Sequence, residues 1–147
     1  FVASTTNGMI TNGTDIMQGE PWESPVRPFG GMEQVAWTLD NDGILYCSRK
    51  KVGKDYALST NTDVYKYKVA TGETSNLTEG RMWYDQNIAI APRGNKLAWE
   101  SMERDGYQSD KIRVYVQDLR TGQKTEYSNG FDQNCTKPKW ADDASST

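Results

Sequence analysis

The sequence predicts an all-β protein in which a four-stranded unit occurs twice. Short apolar runs end at Trp37, Ile90 and Trp140, which lie 53 and 50 residues apart. Two Thr-Gly turns, with their glycines at Gly72 and Gly122, repeat with a period of 50 residues. Self-similarity at such a period is typical of repeat architectures. The strands are therefore assigned one unit at a time.

Alternating apolar and polar residues predict four strands in each unit. In the first unit they cover about 34–38, 44–49, 63–69 and 73–78; in the second they cover about 87–91, 96–101, 111–119 and 123–128. Short turns rich in Asn, Asp and Gly join the first strand to the second and the third to the fourth. Four antiparallel strands in about fifty residues are typical of one blade of a β-propeller.

The repeat divides the chain into four parts. We expect residues 1–33 to be the end of a preceding blade and a linker loop. Residues 34–86 and 87–136 are expected to be complete blades, and 137–147 the start of the next blade. The predicted fold is thus a fragment of a β-propeller, with two complete blades and parts of the flanking blades. Because propellers close with about 4–8 blades, we expect the open strand edges to promote self-association.

Composition excludes several classes of function. The net charge of −3 is mixed along the chain and gives no electrostatic reason to expect nucleic acid. No apolar run approaches the ~18 residues of a membrane span. The chain has no histidine, so a Ser-His-Asp or Cys-His system lacks its base. We expect no catalytic residue, metal or cofactor here. Cys47 and Cys135 are too few for a disulfide framework, and their pairing stays open.

The long connections are expected to share one end of the sheets, because successive connections of antiparallel strands alternate between ends. Long loops on a rigid scaffold are where binding is usually found. The long connections are 17–33, 50–62, 79–86 and 102–110. Their candidate functional residues are Glu20, Trp22, Glu23, Tyr56, Trp83, Tyr84, Asp85, Arg104 and Tyr107.

The segment 19–31 is the strongest candidate for substrate binding. It contains three prolines, and Glu20 and Glu23 flank Trp22. Such a loop is suited to hold a cationic group, for example the α-ammonium of a short peptide. The alternative is a linker between blades, with Trp22 and Phe29 packed into the apolar core. For the loop residues 83–85 and 104–105, the alternative is a surface or packing role.

The sequence resembles the propeller of the prolyl oligopeptidase family of serine peptidases in three stretches, SPVRPFGGMEQVAWTLDNDGILYCSRKK, NTDVYKYKVATGETSNLTEG and KLAWESMERDGYQSDKIRVYVQDLRTG. The resemblance covers residues 1–144. Two further stretches, NGMITNGTDIMQGEPWESPVRPFGG and SMERDGYQSD, resemble one secreted, exopeptidase branch of the family. The W-S-P-D-G blade consensus is degraded: Thr38-Leu39-Asp40 follows Trp37, and Ile90 replaces the second tryptophan.

The resemblance implies a propeller that caps a C-terminal α/β-hydrolase domain, which carries the serine, aspartate and histidine and is absent here. The expected function is the non-catalytic propeller portion of a periplasmic or secreted serine dipeptidyl peptidase, which gates and binds short peptides. Acidic propeller residues in such exopeptidases bind the free amino end of the substrate, so Glu20 and Glu23 are the candidates. The alternative function is a TolB- or WD40-like propeller that acts as a protein-interaction module.

Overall fold

The computed structural model describes residues 1–142 of the chain, which form antiparallel sheets with very little helix. The ten strands are β1 (Thr5–Thr6), β2 (Met9–Ile10), β3 (Val35–Trp37), β4 (Gly43–Ser48), β5 (Asp63–Lys68), β6 (Thr74–Asn76), β7 (Tyr84–Ile90), β8 (Lys96–Met102), β9 (Arg113–Asp118) and β10 (Lys124–Glu126). A 3-10 turn (Met32–Gln34) precedes β3, and one short helix, α1 (Gly53–Leu58), follows β4. The all-β prediction is confirmed.

The two large sheets have the same topology. One has the order β3-β4-β5-β6 and the other the order β7-β8-β9-β10, and every neighbouring pair is antiparallel. Trp37 pairs with Ile44 in the first sheet, as Ile90 pairs with Leu97 in the second. The 53-residue repeat seen in the sequence is therefore also a repeat of strand register. Neither sheet closes on itself within residues 1–142.

An apolar core lies between the two sheets. It combines residues of both sheets: Leu45, Cys47, Val64, Ile88, Leu97, Trp99 and Tyr115. All six residues of β4 are buried, because that strand is central in its sheet and covered on both faces. Burial also raises the pKa of the Cys47 thiol, which stays protonated. Both cysteines are free in the structure, so the open question of their pairing is answered for this chain.

The outer face of the first sheet is covered by the N-terminal segment. Four buried side chains of the sheet pack against Val2, Ile16, Met17 and Val35; they are Ile44, Tyr46, Tyr65 and Tyr67. A turn at Asn7-Gly8, with both residues at positive φ, joins β1 to β2. This pairing is short, because in β2 only Met9 and Ile10 pair with β1.

Three expectations are corrected by the structure. The connection 50–62 is not entirely loop, because it contains α1. The first strand of the second sheet begins at Tyr84 rather than at residue 87, because Tyr84 and Asp85 pair with Met102 and Ser101 on β8. No strand forms over 137–142, where Trp140 instead donates a hydrogen bond from Nε1 to the Ala89 carbonyl, 3.0 Å away. The rest of the expected next blade, 143–147, lies outside the described residues.

Candidate functional site

The four long connections meet at one end of the two sheets, as the alternation of antiparallel strands predicts. We call this end the loop face and define it as residues 17–34, 49–62, 77–83 and 103–112. The connection 49–62 contacts the other three. Its Asn61 side chain donates from Nδ2 to the carbonyls of Arg81 (3.2 Å) and Trp83 (2.8 Å). The Thr62 amide also donates to the Trp83 carbonyl, at 3.0 Å.

Asp105 joins the connections of the two sheets. Its Oδ1 atom accepts hydrogen bonds from Ser59 Oγ (2.7 Å), Thr60 N (2.8 Å) and Asn61 N (3.1 Å). The Gly106 amide in turn donates to Thr60 Oγ1, at 2.9 Å. Desolvation opposes ionisation of Asp105, but these hydrogen bonds outweigh it and lower the pKa of the carboxyl. The carboxylate therefore fixes the position of one connection relative to the other.

The proline-rich segment 19–31 folds back on itself. Val26 is buried, and its amide donates to Gln34 Oε1 at 2.8 Å. The Gly30 amide donates to the Val26 carbonyl, also at 2.8 Å. A Cβ atom at Gly30 would lie 2.5 Å from that carbonyl oxygen, so only glycine permits this close approach. The segment is thereby held in one shape on the loop face.

Glu23 is the most constrained of the three predicted binding residues. Tyr56, on α1, donates its hydroxyl hydrogen bond to Glu23 Oε1 at 2.5 Å. The Arg27 amide donates to the same oxygen at 3.3 Å, and Arg27 Nε lies 3.2 Å from Oε2. Ser48 Oγ donates to the Glu23 carbonyl at 3.0 Å. The structure therefore places this carboxylate firmly and compensates its charge with Arg27.

Glu20 and Trp22 are freer than Glu23. The Glu20 side chain is exposed and makes no hydrogen bond within residues 1–142, while the Trp22 ring is half-buried. Glu20 interacts electrostatically with Lys50, whose Nζ atom lies 4.0 Å from the centroid of the Tyr65 ring. Desolvation lowers the pKa of Lys50, although Glu20 attracts its charge. Phe29 is 87% exposed, which contradicts the alternative that its ring packs into a core.

A shallow cavity of about 580 Å³ lies between the segment 21–27 and the start of α1. We call it the Glu23 groove; its lining residues are Pro21, Glu23, Arg27, Lys51, Val52, Gly53 and Tyr56. The sequence singled out Glu23 and Tyr56 but missed the two cations, Arg27 and Lys51. The run Arg49-Lys50-Lys51 was the available signal, but only the turn of the chain into α1 shows that Lys51 lines the groove.

The other candidate loop residues contact their own chain. Arg104 Nε lies 4.0 Å from Asp110 Oδ1, and the Arg81 guanidinium lies 4.1 Å from the centroid of the Trp83 ring. Asp85 is buried in β7, against the expectation that it lies on a loop. Its carboxylate accepts hydrogen bonds inside the protein, and burial raises its pKa to about 6. Asp85 is therefore an interior group with no access to a peptide.

The part of the chain that the structure describes holds no group of three or more His, Cys, Asp or Glu side chains arranged to bind a metal ion. Over the same residues, no helix has the length and apolar character needed to cross a membrane.

No protein-family model matches the chain. A dipeptidyl-peptidase 5 of Porphyromonas gingivalis is 49% identical over 144 residues, which are 98% of this chain and 21% of the relative. That of Porphyromonas endodontalis is 48% identical over 116 residues, 79% of this chain and 17% of the relative. This chain is homologous to a segment of dipeptidyl-peptidase 5. The homologue in Schizosaccharomyces pombe is 26% identical over 126 residues, 86% of this chain and 18% of the relative.

These alignments confirm the resemblance drawn from the sequence, because the relatives that match most of the chain are dipeptidyl-peptidases. The chain spans about a fifth of the length of the curated relatives that it matches.

Proposed function

We propose that this chain is the non-catalytic part of a larger serine dipeptidyl peptidase and that its two sheets are two complete blades of a β-propeller. The observation that carries the proposal is the alignment of 98% of the chain with 21% of a dipeptidyl-peptidase 5. Two stacked four-stranded sheets with one repeated register support the propeller. The open edges of such sheets would promote association of the isolated chain.

In this proposal the chemistry belongs to an α/β-hydrolase domain of the parent protein. The chain has no histidine to act as the base of a serine nucleophile. The loop face would line the path of short peptides towards that domain and restrict access to it. Long, mutually hydrogen-bonded connections on a rigid scaffold suit this role. We place the parent protein in the periplasm or outside the cell.

Glu20, Trp22 and Glu23 are proposed to hold the free amino end of the peptide. Glu20 is the better direct partner for an ammonium group, because its carboxylate is exposed and makes no hydrogen bond within residues 1–142. Glu23 is already bonded to Tyr56 and Arg27, so its contribution is to hold the segment in place. The ring of Trp22 offers an aromatic face beside the same cation.

The gene around this chain tests the first part of the proposal. We expect a G-x-S-x-G motif downstream in the same reading frame, followed by an aspartate and a histidine. Further repeats and then a stop codon, with no such motif, would contradict the peptidase proposal. That outcome would support the TolB- or WD40-like interaction module instead.

Kinetics of the full-length parent protein test the anchor. We expect Glu20→Gln to raise KM for dipeptide-releasing substrates by about tenfold with little change in kcat, because the substitution removes a charge-assisted hydrogen bond to the peptide ammonium. Glu79→Gln is the matched control, because Glu79 is also an exposed glutamate of the loop face. Unchanged KM values in both Glu20→Gln and Glu23→Gln would remove the anchor from the proposal.

A further inference from the structure

The Glu23 groove carries more positive than negative charge. Arg27 and Lys51 line it, and Glu23 is the single carboxylate among its lining residues. A third cation, Arg49, stands behind the groove with its guanidinium carbon 5.0 Å from the centroid of the Tyr56 ring. The other nearby anion, Asp105, interacts electrostatically with Lys51 but is held by its own hydrogen bonds. Together these groups leave the groove with an excess of one positive charge.

The single carboxylate of the groove is poorly available to a cationic ligand. Glu23 Oε1 accepts from the Tyr56 hydroxyl and from the Arg27 amide, and Oε2 faces Arg27 Nε. An incoming ammonium group would have to displace the guanidinium or break the 2.5 Å bond to Tyr56. Arg27 already supplies the positive charge that an ammonium would bring.

The two lining cations retain capacity for an anion. Within residues 1–142 Lys51 makes no ion pair, and the contact of its Nζ atom is with Sδ of Met82 at 3.9 Å, a weak acceptor. The Arg27 side chain is 84% exposed, and a guanidinium has five N–H donors of which a single carboxylate uses a part. Both groups therefore reach a ligand in the groove with donors to spare.

We propose that the Glu23 groove binds a carboxylate group of a peptide, with Arg27 and Lys51 as its charge partners and Pro21, Val52 and Tyr56 as the apolar contacts beside it. The carboxylate comes from the carboxyl terminus of a short peptide or from an acidic side chain. The inference rests on the proposed function only in taking a peptide as the ligand. It adds an anion site to the amino-end anchor at Glu20.

The binding test uses the whole chain and NMR titration with four peptides. N-acetyl-Ala-Ala-Ala has a terminal carboxylate and no ammonium group, and its carboxyl amide has neither. We expect N-acetyl-Ala-Ala-Ala to shift the backbone amide resonances of Lys51, Val52, Gly53 and Tyr56. We expect it to bind at least about fivefold more tightly than its carboxyl amide. N-acetyl-Ala-Asp-Ala amide then shows whether an acidic side chain serves as well as the terminus. Equal binding of N-acetyl-Ala-Ala-Ala, its carboxyl amide and N-acetyl-Ala-Asp-Ala amide, or no binding of any of these three, overturns the proposal.

The fourth peptide, Ala-Ala-Ala amide, separates this inference from the proposed function. It has a free ammonium group and no carboxylate, so it tests the Glu20 anchor alone. If only this peptide binds, the carboxylate site is wrong and the amino-end anchor stands. If only the acetylated acid binds, the anchor fails on this chain and the carboxylate site stands.

Variants decide which side chains bind. Lys51→Gln is expected to weaken binding of the acetylated acid about fivefold. Lys54→Gln is the matched control: Lys54 is an exposed lysine of α1 that does not line the groove, so its loss is expected to leave binding unchanged. Glu23→Gln is expected to strengthen binding, because it removes the one carboxylate that repels the ligand and that occupies Arg27. Weaker binding in Glu23→Gln, with dispersed spectra that show the variant is folded, contradicts the proposal.

Discussion

The two sheets share a strand order and a register, yet they differ in what they bury. In the first sheet β3 is three residues long, and its last residue, Trp37, is 50% exposed. In the second sheet the corresponding strand, β7, is seven residues long and carries a bulge between Gln86 and Ala89. The second sheet also buries two carboxylates, Asp85 and Glu100. The same strand order and register thus accommodate different buried side chains.

The extra length of β7 places Asp85 in the sheet opposite donors on β8, and the β7 bulge supplies a donor to Glu100. Asp85 accepts from Trp99 Nε1 at 3.1 Å and from Ser101 Oγ at 2.5 Å. Glu100 accepts from Asn87 Nδ2 at 2.9 Å and also from the Lys137 amide. Buried charges are tolerated only when such partners are present. The comparison teaches that a local change in one strand allows buried carboxylates, which the strands of the other sheet do not carry.

The largest expected effect is on the free energy of unfolding, and it differs between Trp99 in the second sheet and Trp37 in the first. Trp99 is almost wholly buried between the sheets, and its ring stacks on that of Tyr115 with centroids 5.8 Å apart. We expect Trp99→Ala to lower the free energy of unfolding by about 3–5 kcal/mol, measured by urea denaturation. Trp37→Ala, at the exposed end of β3, is the control and is expected to cost less than about 1 kcal/mol. Similar losses in the two variants would show that the core is not where we place it.

The next effect concerns the pH dependence of stability and is confined to the second sheet. Desolvation raises the pKa of Asp85 to about 6, above the ~3.9 of an unfolded aspartate. The folded protein therefore binds this proton more tightly than the unfolded chain does. The resulting stability is complete below about pH 4 and is lost as the pH rises to about 6, by up to about 3 kcal/mol.

Asp85→Asn removes this titration while keeping a side chain of the same size. We expect the free energy of unfolding of the wild type, minus that of the variant, to fall between pH 4 and pH 6 and to stay level above pH 7. The groups with lowered pKa values, such as Asp105 and Asp118, act in the opposite direction but are present in both proteins and cancel in the difference. A difference that rises with pH would contradict the assignment.

The smallest expected effect is on hydrogen exchange at the backbone amides that Asp105 and Asp110 accept from. Asp105 binds the connection of the other sheet, whereas Asp110 accepts from Glu103 and Arg104 within its own connection, at 3.0 and 3.2 Å. We expect Asp105→Asn to speed hydrogen exchange at the amides of residues 60 and 61 about tenfold, the value of one hydrogen bond to a charged group. Asp110→Asn is the matched control and is expected to affect residues 103 and 104 instead. Unchanged exchange at 60 and 61 would mean that Asp105 does not join the two connections.

Much of the fold was predictable, because strand period and turn chemistry are local. The pairs Trp37–Ile44 and Ile90–Leu97 follow from turns whose Asn, Asp and Gly residues are visible in the sequence. The start of β7 was misplaced because Asp85 is a poor strand former by composition. Its place in the sheet depends on Trp99 and Ser101, which lie 14 and 16 residues further along the chain. The Glu23 groove was only half predicted, because its two cations, Arg27 and Lys51, lie on different connections that only the fold brings together.

The sequence by itself determined the repeated unit, its antiparallel strands and the position of the long connections at one end, since these depend on residue periods and on short turns. It also determined that the chain has no histidine for a serine nucleophile. Only the tertiary structure decided which charges meet. Glu23 contacts Tyr56 across 33 residues, and Asp105 contacts Ser59 across 46. Such contacts depend on how two sheets and their connections pack in space, which no local pattern of residues specifies.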